Sequence, residues 1–197
     1  SKKTKRDDAV QQICKQWFDV RAFGQVFAFA NDDKSAEGVS IAIRGPVTIQ
    51  SAFSLQPVDI TSTQITKSVN SKDNSDIKKG SDTMGMKHRI DEGIYVTYGA
   101  ITPQLAERTG FSDADAEKIK QILPKLFEGD ASSARPEGSM QVRKVIWWQH
   151  NSKSGQYSSA KVHRSLKELL DENNGEFDED ALKSALEGLE PEIIEGF

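Results

Sequence analysis

Apolar residues recur at intervals of three and four positions in four segments of the chain, the spacing of a helix that buries one side. The predicted helices span residues 5–18, about 112–128, 158–170 and 178–189. Ser112 precedes the second of these helices and Asp115 follows three positions later, as in a capping box. Pro124 lies within the same segment, where it is expected to kink or end the helix.

Alternation of apolar and polar positions predicts five strands. They span residues 20–30, 38–44, 47–53, 92–102 and 141–150. In the second strand, Val39, Ile41 and Ile43 alternate with small or polar residues, which indicates a half-buried strand. In the third strand, four residues are expected on one face: Val47, Ile49, Ser51 and Phe53.

Residues 56–83 differ from the rest of the chain because they are rich in Ser, Thr, Asn, Asp and Lys and poor in large apolar side chains. The segment is longer than an ordinary connection, and connections of this length are usually functional or disordered. The stretch ITSTQITKSV has strand character, and NSKDNSDIKKGSD is expected to form a mobile tip. MGMKHRI (84–90) then leads back into the predicted strand at 92–102.

This order of helices and strands predicts an α+β fold in which helices cover one face of a sheet. An RRM-like or ferredoxin-like sheet is the expected arrangement. We expect residues 1–170 to form one domain with an excursion inserted at 56–83. Residues 171–197 are expected to form an acidic tail, either a solvated charged helix or a disordered end, with contact to a basic neighbouring subunit as the alternative.

Charge divides the 197 residues unevenly. The net charge is −4, but residues 171–197 carry ten Asp or Glu and one Lys, a net of −9, which leaves +5 on residues 1–170. A basic body with an acidic end indicates a polyanionic partner. The single cysteine, Cys14, excludes an intrachain disulfide and a cysteine-based zinc site. No apolar run is long enough for a transmembrane helix, and no signal peptide is evident.

Two glycine-containing segments, a strand motif at 21–26 and a turn at 44–46, are candidate phosphate contacts. Residues 21–26 match four of the seven specified positions of an RNA-binding strand motif, in which aromatic side chains stack on unpaired bases. The alternative is a strand whose phenylalanines face the core, and Arg21 is then the better candidate for a phosphate contact. In Arg44-Gly45-Pro46, an exposed backbone N–H beside an arginine suits a phosphate, although a plain turn explains the segment equally well.

A third cluster, Met84 to Arg89, places three cationic or titratable side chains where the excursion rejoins the predicted sheet. Methionines can wedge between bases, and a solvated strand entrance is the alternative. No partner for acid–base catalysis by His88 is evident, and His150 and His163 lack metal-ligand spacing. The chain also has no P-loop, GxSxG or HExxH motif.

Five segments together resemble the backbone subunit of type I-C CRISPR effector (Cascade) complexes, the crRNA-binding, RAMP-like family. They are FDVRAFG (18–24), IRGPVTIQSAFSLQPVDI (43–60), DTMGMKHRI (82–90), YGAITPQLAERTGFSDAD (98–115) and SSARPEGSMQVRKVIWWQH (132–150). The resemblance covers roughly residues 5–170.

The resemblance implies a modified RRM fold with insertions, whose copies stack head to tail along a guide RNA. Each thumb crosses the RNA and displaces one base at regular intervals, and the other bases pair with target DNA. The implied subunit is a non-catalytic scaffold of antiviral defence in the prokaryotic cytoplasm, with other Cascade subunits as partners. Neither a cofactor, a metal nor a membrane is implied.

The excursion at 56–83 maps onto the thumb of the family, with Thr66, Lys67 and Met84 as candidate contacts. Motifs expected to line the RNA groove contain Arg21, Arg44, Gly45, Gln50, Ser51, Lys87 and His88. Members of the family carry a further N-terminal region that supplies the first strand of the sheet. That region is absent from this sequence, and we interpret the sequence as a proteolysed or incomplete subunit; if the region is truly missing, we expect an open sheet edge.

Two other functions remain as alternatives. The first is a metal-dependent ribonuclease, as in related type III backbone subunits, with Asp19 or Asp32 as the candidate aspartate. The second is a module that binds only protein.

Overall fold

The computed structural model describes residues 2–29, 39–66 and 84–197 of the chain. It divides into two units. The first unit consists of Ser1–Gln50 and Tyr98–Phe197, and the second unit consists of Ser51–Thr97. None of the helices in the described ranges is long and apolar enough to cross a membrane.

Six α-helices lie among the described residues of the first unit. They are α1 (Lys2–Gln16), α2 (Phe18–Phe23), α3 (Pro103–Thr109), α4 (Asp113–Ile122), α5 (Ser159–Glu172) and α6 (Glu179–Ser184). A 3₁₀ turn, Leu123–Lys125, follows α4 where Pro124 was expected to interrupt the helix. Side chains of Ser112, Ser158 and Asp178 accept a hydrogen bond at the start of α4, α5 and α6. The first and third predicted helices are confirmed, and the second and fourth are present but end earlier than predicted.

Within residues 2–29, 39–66 and 84–197, ten strands pair as five separate antiparallel ladders. They are β1 (Gly24–Phe29), β2 (Val39–Arg44), β3 (Val47–Ile49), β4 (Phe53–Ser54), β5 (Ile60–Thr66), β6 (Met84–Ile90), β7 (Tyr95–Val96), β8 (Gly99–Ile101), β9 (Lys144–Trp147) and β10 (Glu192–Glu195). In the first unit β1 pairs with β2, β3 with β8, and β9 with β10; in the second, β4 pairs with β7 and β5 with β6. The α+β class is confirmed, and the RRM-like arrangement stays a prediction.

The core of the first unit is built from several clusters. In the first cluster, Cys14 of α1 and Val20 of α2 pack against Ile41 and Ile43 of β2. A second cluster joins Ala22 of α2 to β3 and α4 through three further buried residues: Val47, Phe111 and Ile119. Burying one such aliphatic side chain contributes roughly 1.5–3 kcal/mol, so these contacts are what hold the short elements in place.

The strand predicted at residues 20–30 begins only at Gly24, because Phe18–Phe23 is helical. This segment is helical because its side chains pack into two different clusters. Val20 packs in the first cluster and Ala22 in the second. A strand points residues i and i+2 to the same side, whereas a helix turns them about 200° apart. Only the helix reaches both clusters.

The strands predicted at 47–53 and 92–102 are each interrupted. Each long strand is replaced by two short ones, β3 and β4 in one case and β7 and β8 in the other. Val47 is buried but Ile49 and Phe53 are exposed, and β3 ends at Ile49, so the prediction of one continuous strand with four residues on a shared face is wrong. Helix α3 was not predicted, although Pro103 at its start and left-handed Gly110 at its end are typical of helix ends.

The C-terminal residues pack as part of the first unit. Three leucines spaced at i, i+4 and i+7 are buried: Leu182, Leu186 and Leu189. Strand β10 then pairs with β9 in register from Glu192 opposite Trp147 to Glu195 opposite Lys144. The acidic side chains of 171–197 are exposed, as expected of a solvated helix, but the buried leucines and the β9–β10 pairing show that this segment is not a disordered end.

Candidate functional site

The two faces of the β1–β2 ladder differ in exposure within the part of the chain that the structure describes. Phe27 and Ile41, which are paired across the strands, face α1 and its cluster. The opposite face carries Val26 paired with Ala42, and Arg44 paired with Gly24, and these side chains are exposed. Arg44 has no ion-pair partner within the part of the chain that the structure describes, so its charge faces solvent at the end of β2.

The turn that follows Arg44 is shaped by a backbone contact between two glycines and their neighbours. A Cβ on Gly45 would lie 2.2 Å from the carbonyl oxygen of Ala22, and a Cβ on Gly24 would lie 2.3 Å from that of Ile43. Gly24 also has a φ of 83°, a conformation that suits glycine. Gly45 is buried, so the expectation of an exposed N–H at this turn is wrong; close packing explains the glycine.

Arg21 lies on α2 rather than at a strand end, and its side chain is bound on three sides. Its Nε and Nη2 donate to the two carboxylate oxygens of Asp115 at 3.0 and 2.9 Å, and Nη1 donates to the carbonyl oxygen of Cys14 at 2.7 Å. Asp115 also accepts hydrogen bonds from the backbone N–H and the hydroxyl of Ser112. The same carboxylate thus completes the capping box of α4 and holds α2.

The surroundings of Asp115 favour its charged form. The hydrogen bonds from the Arg21 guanidinium lower the pKa of Asp115 to about 2, with further lowering by Ser112, against the opposing effect of burial. The same bond raises the pKa of Arg21. The pair is ionised at neutral pH and carries no net charge.

The second unit presents its charged residues on a hairpin. Strands β5 and β6 pair from Ile60 opposite Ile90 to Thr66 opposite Met84, and nearly every side chain on them is exposed. Because paired residues share a face and successive residues alternate, the hairpin has two distinct faces. The first, here called the basic face, carries Thr61, Thr63, Ile65, Lys87 and Arg89. The second, the methionine face, carries Ile60, Ser62, Gln64, Thr66, Met84, Met86, His88 and Ile90.

Polar contacts order the methionine face. The Ser62 hydroxyl and His88 Nδ1 are 2.8 Å apart, and Gln64 Nε2 donates to the Met84 sulfur at 3.1 Å. Thr66 and Met84 form the last pair that the structure describes at this end of the hairpin. Lys67, which was predicted beside them, lies outside the described residues.

On the basic face, Asp91 accepts hydrogen bonds from the Thr61 hydroxyl at 2.5 Å and from Arg89 Nε at 2.7 Å. The bond from Thr61, followed by that from Arg89, lowers the pKa of Asp91. Both partners of this ion pair are largely exposed, so the arginine is held loosely and its charge stays in contact with solvent.

The predicted residues fall into two groups. Arg21, Arg44, Gly45 and Gln50 belong to the first unit, where the Gln50 N–H donates to the carbonyl oxygen of Tyr98 at 2.8 Å. The second unit holds Ser51, Thr66, Met84, Lys87 and His88. Arg89 belonged to the predicted Met84–Arg89 cluster but not to the residues expected to line the RNA groove, and Asp115 was in neither set. The alternation of Lys87 with Arg89 along β6 was a signal for the first, and the capping-box position was a signal for the second.

The aspartates of the ribonuclease alternative and the metal-ligand types were also located within the described ranges. No group of three or more His, Cys, Asp or Glu side chains is placed to hold a metal ion there. Asp19 is an exposed residue of α2, and Asp32 lies outside those ranges. A cleft of about 140 Å³ between β9 and α5 is lined mainly by apolar and aromatic residues, including Ile146, Trp148 and His163.

Comparison with known proteins gives one family and no curated relative. The model of the family described as CRISPR-associated protein Cas7 matches residues 1–184, which is most of the chain. No curated protein matches the sequence. The chain therefore belongs to the Cas7 family of CRISPR-associated proteins.

Proposed function

We propose that the chain is a crRNA-binding scaffold of a type I-C CRISPR interference complex. Copies of it assemble head to tail along the guide RNA, together with other Cascade subunits, and present the guide for pairing with target DNA. The subunit itself has no nuclease activity in this proposal. The observation that carries it is the family match over residues 1–184.

The first unit supports the proposal through the exposed face of β1–β2. In RNA-binding sheets, single-stranded RNA contacts an exposed face of the sheet. Here Val26 and Ala42 are exposed on that face, and it ends in Arg44, whose guanidinium suits bidentate contact with a phosphate. Gln50 and Ser51 are exposed a few residues further along the chain and add polar contacts.

The hairpin supports the proposal in a different way. Lys87 and Arg89 on the basic face suit contact with phosphates, which carries no sequence preference. On the methionine face, exposed Met84 and Met86 are flexible apolar side chains that suit insertion between bases. A guide must be held regardless of its sequence, since base pairing reads the target.

The proposed RNA contacts are therefore exposed residues of both units. They are Arg44, Gln50, Ser51, Thr66, Met84, Lys87, His88 and Arg89, with Lys67 retained from the sequence. Arg21 and Gly45 were predicted in the same set, but the bonds of Arg21 and the burial of Gly45 favour an indirect role for both.

Electrophoretic mobility shift with a spacer-length crRNA, repeated over a range of salt concentrations, tests the proposal. We expect binding that weakens steeply with salt and depends little on spacer sequence. The Arg44→Ala variant should weaken binding to every spacer and flatten the salt dependence, whereas Arg108→Ala, at an exposed arginine of α3, serves as the matched control. Binding that is insensitive to salt, or equal losses from both variants, would contradict the proposal.

A further inference from the structure

Every nitrogen of the Arg21 guanidinium already donates a hydrogen bond within the protein. Two bonds go to Asp115 and one to the carbonyl oxygen of Cys14, and the side chain is only 17% exposed. A phosphate at Arg21 would have to displace a paired and largely buried carboxylate. Because that carboxylate also cancels the arginine charge, the pair offers a phosphate little net attraction.

The three bonds join three helices at one point. Cys14 is near the end of α1, Arg21 is in α2, and Asp115 is in the first turn of α4. Helix α2 has only six residues, too few to be stable without tertiary contacts. Its placement therefore depends on the Arg21 bonds together with the burial of Val20 and Ala22.

The end of α2 bears directly on the turn that carries Arg44. The backbone of Ala22 is so close to Gly45 that a single Cβ there would overlap it, and Gly24 is opposite Arg44 in the β1–β2 register. Packed backbone transmits displacement because it cannot compress. A shift of α2 must therefore move Arg44 and Gly45 as well.

We infer that Arg21 is a positioning residue, which with Asp115 fixes α2 and so holds the Arg44–Gly45 turn in the orientation that binds RNA. The inference rests on the proposed function, because RNA binding is the role it assigns to Arg44. It also assigns a role to Asp115, an acidic residue that no RNA contact would explain.

A double-mutant cycle on the full chain distinguishes positioning from direct contact. We expect Arg44→Ala and Arg21→Ala each to weaken crRNA binding about tenfold and to reduce the salt slope by about 0.7, the value for one contact to a single strand. Their combination should lose little more than either alone, because both remove the same contact. Additive losses, with a slope change of about 1.4 in the double variant, would show that Arg21 contacts phosphate itself.

Asp115→Asn gives a result of opposite sign under the two explanations. It removes a negative charge, which should tighten RNA binding if Arg21 touches phosphate. If Arg21 and Asp115 act by positioning, it should weaken binding to about the level of Arg44→Ala. Arg21→Lys, which keeps the charge but loses the two-pronged geometry, should weaken binding by less than Arg21→Ala. All affinities are compared per folded molecule, from circular dichroism at the assay temperature.

A measurement without RNA separates failure of this inference from failure of the proposed function. Amide NMR spectra of Asp115→Asn and Arg21→Lys should show shifted signals for Arg44 and Gly45, with Gly129 unchanged. Unshifted signals at Arg44 and Gly45 would overturn the positioning role even if the chain binds crRNA. Shifted signals in a chain that does not bind crRNA would retain the mechanical coupling and reject the proposed function.

Discussion

The two units hold the same kind of ion pair in opposite ways. In the first unit, Arg21 meets Asp115 through two parallel bonds, and the side chains are 17% and 7% exposed. In the second unit, Arg89 Nε makes a single contact with a carboxylate oxygen of Asp91 at 2.7 Å, and the two side chains are 64% and 53% exposed. A buried two-pronged pair organises the fold around it, whereas an exposed pair contributes little to stability and can exchange its partner. An arginine in a nucleic-acid-binding family is thus not by itself an RNA contact.

The largest effect that this comparison predicts is on folding. Arg21→Ala leaves the Asp115 carboxylate without its partner in a largely buried position, and the free energy of unfolding should fall by about 3 kcal/mol. Arg89→Ala should change it by less than about 0.5 kcal/mol. Urea unfolding followed by circular dichroism measures both. Similar losses from the two variants would remove the distinction between the units.

The glycines of the two units should respond just as differently. A Cβ on Gly45 would overlap the carbonyl oxygen of Ala22, while a Cβ on Gly85 would lie 3.5 Å from the Ile65 side chain, an ordinary contact. We expect Gly45→Ala to cost about 2 kcal/mol through forced backbone movement. Gly85→Ala is the matched control and should be close to neutral. Thermal unfolding of the two variants compares them directly, and a neutral Gly45→Ala would contradict the close approach.

Acid should act on the first unit through the same carboxylate. The pKa of Asp115 is about 2 in the folded chain against an ordinary value of 3.8. A lowered folded pKa stabilises the protein above the ordinary value, and this stabilisation is lost as the pH falls through about 2. About 2 kcal/mol of unfolding free energy should therefore disappear between about pH 4 and pH 2.

Asp115→Asn is the control for that titration. It removes the ionising group, so the variant should be less stable at neutral pH and should lose less stability over the same acid range. Urea unfolding at a series of pH values gives both curves. Parallel curves for the wild-type chain and the variant would assign the acid sensitivity to other carboxylates.

Patterns among neighbouring residues predicted many of the helices and strands. The features that the sequence did not predict depend on contacts between residues distant in sequence. The capping box at Ser112, the interruption at Pro124 and the half-buried β2 follow from neighbouring residues, and all three are present. The helical state of Phe18–Phe23 depends on two clusters that lie on either side of it. The alternation of apolar and polar positions over residues 20–30 predicted a strand there, because a local pattern contains no information about such packing.

The same limit applies to the candidate site. Residues 84–90 were singled out from their own composition, and the structure places them on an exposed hairpin. The partner of Arg21 is 94 positions away, so no local pattern could reveal that its charge is already neutralised. The reason for a glycine at position 45 is likewise distant in sequence. The backbone of Ala22 leaves no room for a side chain there, whereas the local sequence indicates only a turn.

The smallest expected effect gives the sharpest contrast between the two pairs, because the same substitution should act with opposite sign. Asp91→Asn removes a negative charge from the basic face and releases Arg89, while the amide oxygen can still accept the bond from Thr61. We expect crRNA binding to tighten by about two- to threefold, because an exposed charge has only a weak effect. The gain should fade at high salt, because exposed charges are screened.

Asp115→Asn should instead weaken binding at every salt concentration, since it disturbs the placement of Arg44. If both substitutions tighten binding, Asp115 is only a nearby negative charge, and Arg21 joins the phosphate contacts after all.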